Sequence, residues 1–239
     1  MRYSVDTDIF NRYPGFMRAV VIADDIRNNE KNPELAGELR ACEQHAREAL
    51  GDDFKDLPQL SAWADAFRSM DINPNKYPPS VVNLVKRARS GKPLPYVNSL
   101  VAVFNCISLR NLCPCGGDDL AVVGGDLLLA FAEGTETYIP LGQPEATEHP
   151  PKGEVIYMDT ATRDVFCRAW CWKNGDKSKL TPATTWAAVN IDIMSPLGLT
   201  DAERIAGELR AMLEKYTGAK TAIHYLTAHD PEFAVTRLT

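Results

Sequence analysis

Between Asn73 and Leu120 the chain reads NPNKYPPSVVNLVKRARSGKPLPYVNSLVAVFNCISLRNLCPCGGDDL, and it puts a carboxamide, thiols and paired carboxylates where an apolar core has no need of them. Three glycine or proline stops in so short a span shape the backbone around something, which marks the segment as a candidate site. Asn105 falls beside the buried face of an apolar helix, near the wall of any cavity. Asp118 and Asp119 follow Gly116-Gly117, and a carboxylate there can orient a water or bind an ammonium group. Either aspartate also fits an Asx-type turn that satisfies its own backbone. The two glycines read as a turn whose amides can face a developing negative charge.

Other polar groups are weighed in the same way. Cys113-Pro114-Cys115, with Cys106 upstream, invites a zinc or thiol-enzyme reading, but a second ligand pair at two to four residues' spacing is missing, so no metal is assigned. Cys167 and Cys171 fall in an expected strand. Glu154 and Asp159 bracket EVIYMD, where an odd offset sends the two carboxylates to opposite faces and argues against an acid-base pair. Glu154 is expected to contact the pocket or a neighbouring turn, and Asp159 to cap the strand end. Arg168, Trp170 and Trp172 alternate, so a strand would present all three on one face as a stacking surface for a base or ribose. The alternative is two core tryptophans with Arg168 paired to an acid. Lys173, Lys177 and Lys179 follow, and with Lys86, Arg87, Arg89 and Lys92 they form the basic clusters of note. None of the four histidines adjoins a Gly-x-Ser-x-Gly elbow, and phosphate-binding glycine loops are missing, which argues against nucleotide hydrolysis and dinucleotide redox chemistry.

The elements that position these groups can be placed from periodicity. Phe16 to Ile26 reads as a buried strand, and Asn32-Pro33 starts a helix with Leu35, Leu39, Cys42, Ala46 and Leu50 inside and Gly51 as its stop. Leu60, Trp63, Phe67 and Met70 mark a second stripe. Ser80 is expected to cap a third helix and Asn98 a fourth, the latter burying Val101, Phe104 and Ser108. Leu120 to Leu141 has the pattern of antiparallel strands joined by hairpins. EVIYMD, VFCRAWCW and WAAVNIDI read as strands, and the proline-rich segment 141–153 between them as a loop. Thr200 and Glu203 fit a capping box for a last helix, and KTAIHYL returns as a strand. Strands in the middle with helices before and after imply an α+β fold.

The chain has 239 residues with 45% hydrophobic content, enough for one sizeable core. A single domain over 1–239 is expected, with a core at 70–195, a strand-helix extension at 1–70 and a helix-strand addition at 196–239. Net charge is −6, so no global basic field draws in nucleic acid, and any contact must be local. The N-terminus lacks a signal-like apolar run and no stretch approaches a membrane span, which predicts a cytoplasmic protein without a membrane partner. The six cysteines read as thiols.

An Asn-bearing apolar helix followed by a Pro, small-residue, Asp-Leu turn resembles the tRNA-editing (B3/B4) domain of the phenylalanyl-tRNA synthetase beta subunit and its stand-alone relatives. The segments GEVIYMD and RAWCWKNGDKSKLTPATT follow in the order expected, so the likeness covers roughly residues 70 to 190. It implies a sheet-rich, barrel-like core with helices outside, and a stand-alone deacylase that hydrolyses a mischarged aminoacyl-tRNA ester in trans, without a cofactor. tRNA and an aminoacyl-tRNA synthetase are the implied partners. Such an ester is already activated, so a site need only place water, hold the amino acid and offer oxyanion donors. The alternative is a non-catalytic tRNA or amino-acid binding module of the same fold. Asn105, Asp118 and Glu154 are the catalytic candidates, and Cys115, Gly116, Gly117, Arg168, Trp170, Trp172 and Thr185 the substrate-binding ones. In the resemblance Cys115 shapes the pocket, Asp119 is largely structural, and Thr184 or Thr185 matches the family's threonine. Gly116 stands where the synthetase carries a histidine, so the synthetase's substrate choice does not carry over.

Overall fold

The run of β-branched and small apolar residues after Phe16 forms the centre of a sheet. In the computed structural model, which describes residues 1–29 and 31–238, β1 (Arg2–Val5) and a short helix α1 (Thr7–Arg12) lead into β2 (Met17–Asp24). β2 pairs antiparallel along its whole length with β9 (Trp186–Ile193) and with β10 (Lys220–Leu226), and β3 (Cys115–Asp119) pairs antiparallel with the far side of β9. The strand order is β10-β2-β9-β3. Because side chains alternate along a strand, Ala19, Val21 and Ala23 face one way and Val20 and Ile22 the other, into two separate apolar clusters.

The second sheet has seven strands in the order β11-β1-β4-β6-β7-β5, with β8 beside β7. Its members are β4 (Leu127–Phe131), β5 (Thr137–Tyr138), β6 (Val155–Asp159), β7 (Asp164–Arg168), β8 (Lys173–Asn174) and β11 (Glu232–Ala234), together with β1. It packs on the Val20-Ile22 face of the first sheet through Tyr3, Leu127, Leu129, Val155, Tyr157 and Phe166.

Helices cover the other face of the four-stranded sheet. They are α2 (Pro33–Ala49), α4 (Ser80–Arg89), α5 (Ser99–Asn111) and α6 (Leu199–Thr217), and their stripes Leu35-Leu39-Cys42-Ala46, Val81-Val85-Ala88 and Ile205-Leu209-Leu213 share one cluster with β2 and β9. α3 (Pro58–Ser69) splits its stripe, with Leu60 in that cluster and Trp63 and Phe67 in the one between the sheets. Among the described residues no helix is long and apolar enough to cross a membrane.

The α+β class, the sheet-rich core and the flanking helices match the sequence reading, and so do the caps of α2 and α5. Asn32 accepts from the Leu35 N–H at 3.1 Å and Asn98 from the Val101 N–H at 3.0 Å. Several details differ. The sheets stay open and form two layers, not a closed barrel. β4 and β5 make no hairpin with each other; β4 pairs with β1 and β6, and β5 with β7. Pro79 occupies the cap position of α4, and the Ser80 N–H instead donates to the Cys171 carbonyl at 2.8 Å. α6 is capped two residues earlier than Thr200, at Gly198, whose N–H donates to the Asp201 carboxylate at 3.1 Å. β7 ends at Arg168 because Ala169 and Trp170 turn left-handed (φ 46° and 63°), so Arg168, Trp170 and Trp172 do not share a strand face. Gly116-Gly117 is edge strand, not turn, since pairing with β9 overrides the weak strand propensity of glycine.

Candidate functional site

Where β3 forms the edge of its sheet, the two sheets part and leave a cavity of about 630 Å³. Its walls come from α4 and α5 on one side, from the segment 170–175 on another and from the loop 178–180. Its floor is built by sheet geometry. Arg18 of β2 lies directly opposite Asp192 of β9, and both turn toward the second sheet. The guanidinium grips the carboxylate with two bonds, Nε to Oδ1 at 2.6 Å and Nη2 to Oδ2 at 3.0 Å, while Nη1 donates to the Tyr3 hydroxyl at 3.0 Å. Both partners are 1% exposed. A pair this deep survives only with its lone pairs and protons satisfied, and this bidentate geometry does that.

Asp118 of β3 sits on the same floor, 5% exposed, and accepts a hydrogen bond from the Ser178 hydroxyl. Burial pushes its carboxyl up from 3.8 to about 7, the Ser178 bond and the Arg18 charge pull it back, and neighbouring Asp119 adds a little to the rise. A carboxyl balanced near neutrality can take a proton from water and return it. The ladder places a donor next to it. Asp192 donates its N–H to the Pro114 carbonyl, so even-numbered residues of β3 bond to β9. The Cys115 and Asp119 amides point the other way, to the Ser108 hydroxyl at 3.1 Å and the Ser178 carbonyl at 3.0 Å. Alternation sends the Gly117 N–H off the ladder on that same side.

Of the residues singled out from sequence, Asn105, Cys115, Gly116, Gly117, Asp118, Trp170 and Trp172 all line this cavity. Glu154, Arg168 and Thr185 do not. Glu154 is 4% exposed and its two oxygens are held by Arg168 Nε at 3.0 Å and Nη2 at 2.8 Å, with the Ala169 N–H also donating to it at 2.8 Å. Arg168 reaches Glu148 as well, at 2.6 Å, so this cluster fixes the chain reversal after β7. Trp170 is a core residue, boxed edge-on by Tyr13, Phe16 and Trp63 with centroids 4.8 to 5.2 Å away. Trp172 remains half-buried at the cavity, against Tyr77. Thr185 is exposed, whereas Thr184 is buried and donates to Asp119 at 2.7 Å. Asp159 binds the Gly124, Ala161 and Thr162 amides at the end of β6. Burial pushes the Cys113 and Cys115 thiols upward, the wrong direction for a nucleophile.

Arg18, Tyr157, Ser178, Asn190 and Asp192 also line the cavity and were missed. A signal existed for three of them. Arg18 interrupts an apolar run, and Asn190 and Asp192 stand two apart inside WAAVNIDI, which places them on one face of a buried strand.

The open cavity between the two sheets, floored by carboxylates, an arginine and a carboxamide, has the size of a small-molecule pocket in an α+β fold. The chain belongs to the B3/4 domain family, whose model matches residues 62–207, more than half of its length. No curated protein sequence matches it. Among solved structures it is similar to an N-terminal fragment of the phenylalanyl-tRNA synthetase beta-subunit from Pyrococcus horikoshii, with 12% identity and a TM-score of 0.43, over 91% of this chain and 49% of that one. The chain therefore spans about half of that fragment.

Proposed function

We propose that this chain is a cytoplasmic aminoacyl-tRNA deacylase that hydrolyses a mischarged aminoacyl ester delivered in trans. Membership of the B3/4 family and the motif resemblance to the synthetase editing domain support the substrate class. The observation that carries the reading is Asp118, a carboxyl held near neutrality on the floor of a ligand-sized cavity. In its ionised form Asp118 takes a proton from a water that attacks the ester carbonyl. The Gly117 N–H faces the oxyanion, and Asn105 on the wall positions the aminoacyl group. The acyl carbon–oxygen bond then breaks, and the proton passes from Asp118 to the departing ribose oxygen, giving free amino acid and free tRNA. Glu154, committed to Arg168, takes no part in this scheme. Lys173 and Lys179 border the cavity and supply the local phosphate contacts that a chain of net charge −6 requires. A synthetase that releases the charged tRNA is the natural donor.

The test is release of amino acid from a panel of correctly and incorrectly charged tRNAs. Selective release is expected, with Asp118→Asn slower by about 10²-fold or more, the usual worth of a general base. After subtraction of spontaneous hydrolysis, the rate should climb with pH through about 7 as Asp118 ionises. No release from any charged tRNA would leave the binding module without turnover.

A further inference from the structure

Gly116 has no backbone reason to be glycine. Its φ lies outside the left-handed region, and a Cβ built there would meet only Asn174 Nδ2, 3.9 Å away. Its neighbour Gly117 is the opposite case, since a Cβ there would run into the Ala188 carbonyl oxygen at 2.8 Å and Phe104 Cζ at 3.0 Å. Gly116 therefore leaves a notch in the cavity floor. Directly across the ladder, on the same face, stands Asn190. Asp118 lies on one side of the notch and the Arg18–Asp192 pair on the other.

Asn190 is half-buried, and its carboxamide has no hydrogen-bond partner among the described residues; the same holds for Asn105. The other asparagines that are not exposed, Asn28, Asn32, Asn98 and Asn111, all use their side chains in hydrogen bonds. From the opposing sheet Tyr157 brings a buried hydroxyl to the same cavity, beside Tyr3. Asn190, uncommitted to any neighbour and facing the notch, is free to bond a hydrogen-bonding occupant there. Its charge is constrained. The Arg18 charge is already met by Asp192, and an anion would face Asp118. A carboxamide both donates and accepts, which matches an uncharged head that does the same.

We propose that the notch over Gly116 is the side-chain subsite of this cavity, where Asn190 reads a hydroxyl or carboxamide on a short aliphatic amino acid. This rests on the aminoacyl reading above and names the substrate within it. A site built to bond a hydroxyl discriminates against the isostere lacking it, because its own polar groups are then left unpaired.

The test uses non-hydrolysable aminoacyl adenosines, with an amide in place of the ester, titrated calorimetrically against the full chain. The threonyl derivative should bind about tenfold more tightly than the valyl one, the worth of one well-made hydrogen bond. Asn190→Leu should erase that ratio. Gly116→Ala, which the surrounding space admits, should weaken the threonyl derivative more than the glycyl one. Equal binding of threonyl and valyl derivatives, a preference that survives Asn190→Leu, or tighter binding of phenylalanyl or lysyl derivatives would overturn the subsite while leaving the aminoacyl reading in place. Binding of none of them would overturn both.

Discussion

Asp118 is expected to set activity and stability against each other. Its carboxyl titrates near 7 when folded and near 3.8 when free, so the native state keeps a proton that the unfolded chain gives up. The stability this contributes is whole below about pH 4 and is lost as pH rises through about 7. Asp118→Asn removes the buried charge but keeps an oxygen to accept the Ser178 hydroxyl, so the variant should melt above the parent at pH 8 and converge with it near pH 4. Each kcal/mol recovered moves the midpoint by about 2–4 °C for a chain of this size. Equal melting at pH 8 would mean that Asp118 titrates normally. Ser178→Ala tests the same carboxyl from the other side: the lost bond had favoured the ionised form, so the rising limb of the pH–rate profile should move to higher pH. At this scale the sequence was uneven. The Gly-Gly-Asp-Asp segment announced Asp118, but nothing local shows that Arg168, fourteen residues along, consumes Glu154.

β3 owes its shape to tertiary pairing, and its two glycines do different work. In Gly117→Ala the new methyl meets the Ala188 carbonyl, which is backbone and cannot step aside, so a loss of about 1–3 kcal/mol is expected in denaturant titrations. Gly116→Ala should stay within about 0.5 kcal/mol. Equal costs would mean that β3 does not lie this close to β9. The contrast also explains what could be read in advance. α2, α5, β2 and β9 carry strong periodicity and caps, and the sequence places them well. Gly116-Gly117 has the composition of a turn, and only the ladder with β9 makes it strand. The reversal at Ala169-Trp170 was hidden for a related reason, since what stabilises it is an aromatic box assembled from Tyr13, Phe16 and Trp63, far away in sequence.

At the scale of the whole molecule, both ends of the chain are built into the sheets that hold the site. The region matched by the family model, 62–207, leaves out β1, β2, β10 and β11, and with β2 it leaves out Arg18. A fragment limited to it would bury Asp192 without its counter-charge and leave the edges of β9 and β4 that pair with β2 and β1 open, so it should not fold alone. The full chain permits a sharper measurement, because Arg18 and Asp192 are 174 positions apart and their pair ties the N-terminal strand to the late one across the cavity floor. Arg18→Met strands a buried carboxylate and should cost about 3–5 kcal/mol, whereas Arg18→Met with Asp192→Leu removes both charges and should recover most of it. Native domains are stable by only about 5–15 kcal/mol, so the single variant should be largely unfolded at moderate urea where the double variant is not. If the double variant is no better than the single, the cost of losing Arg18 lies in its bond to Tyr3 and its packing, not in the stranded charge. If it folds but no longer binds aminoacyl adenosine, the pair is kept to shape the floor around Asp118 and Asn190, not to hold the sheets together.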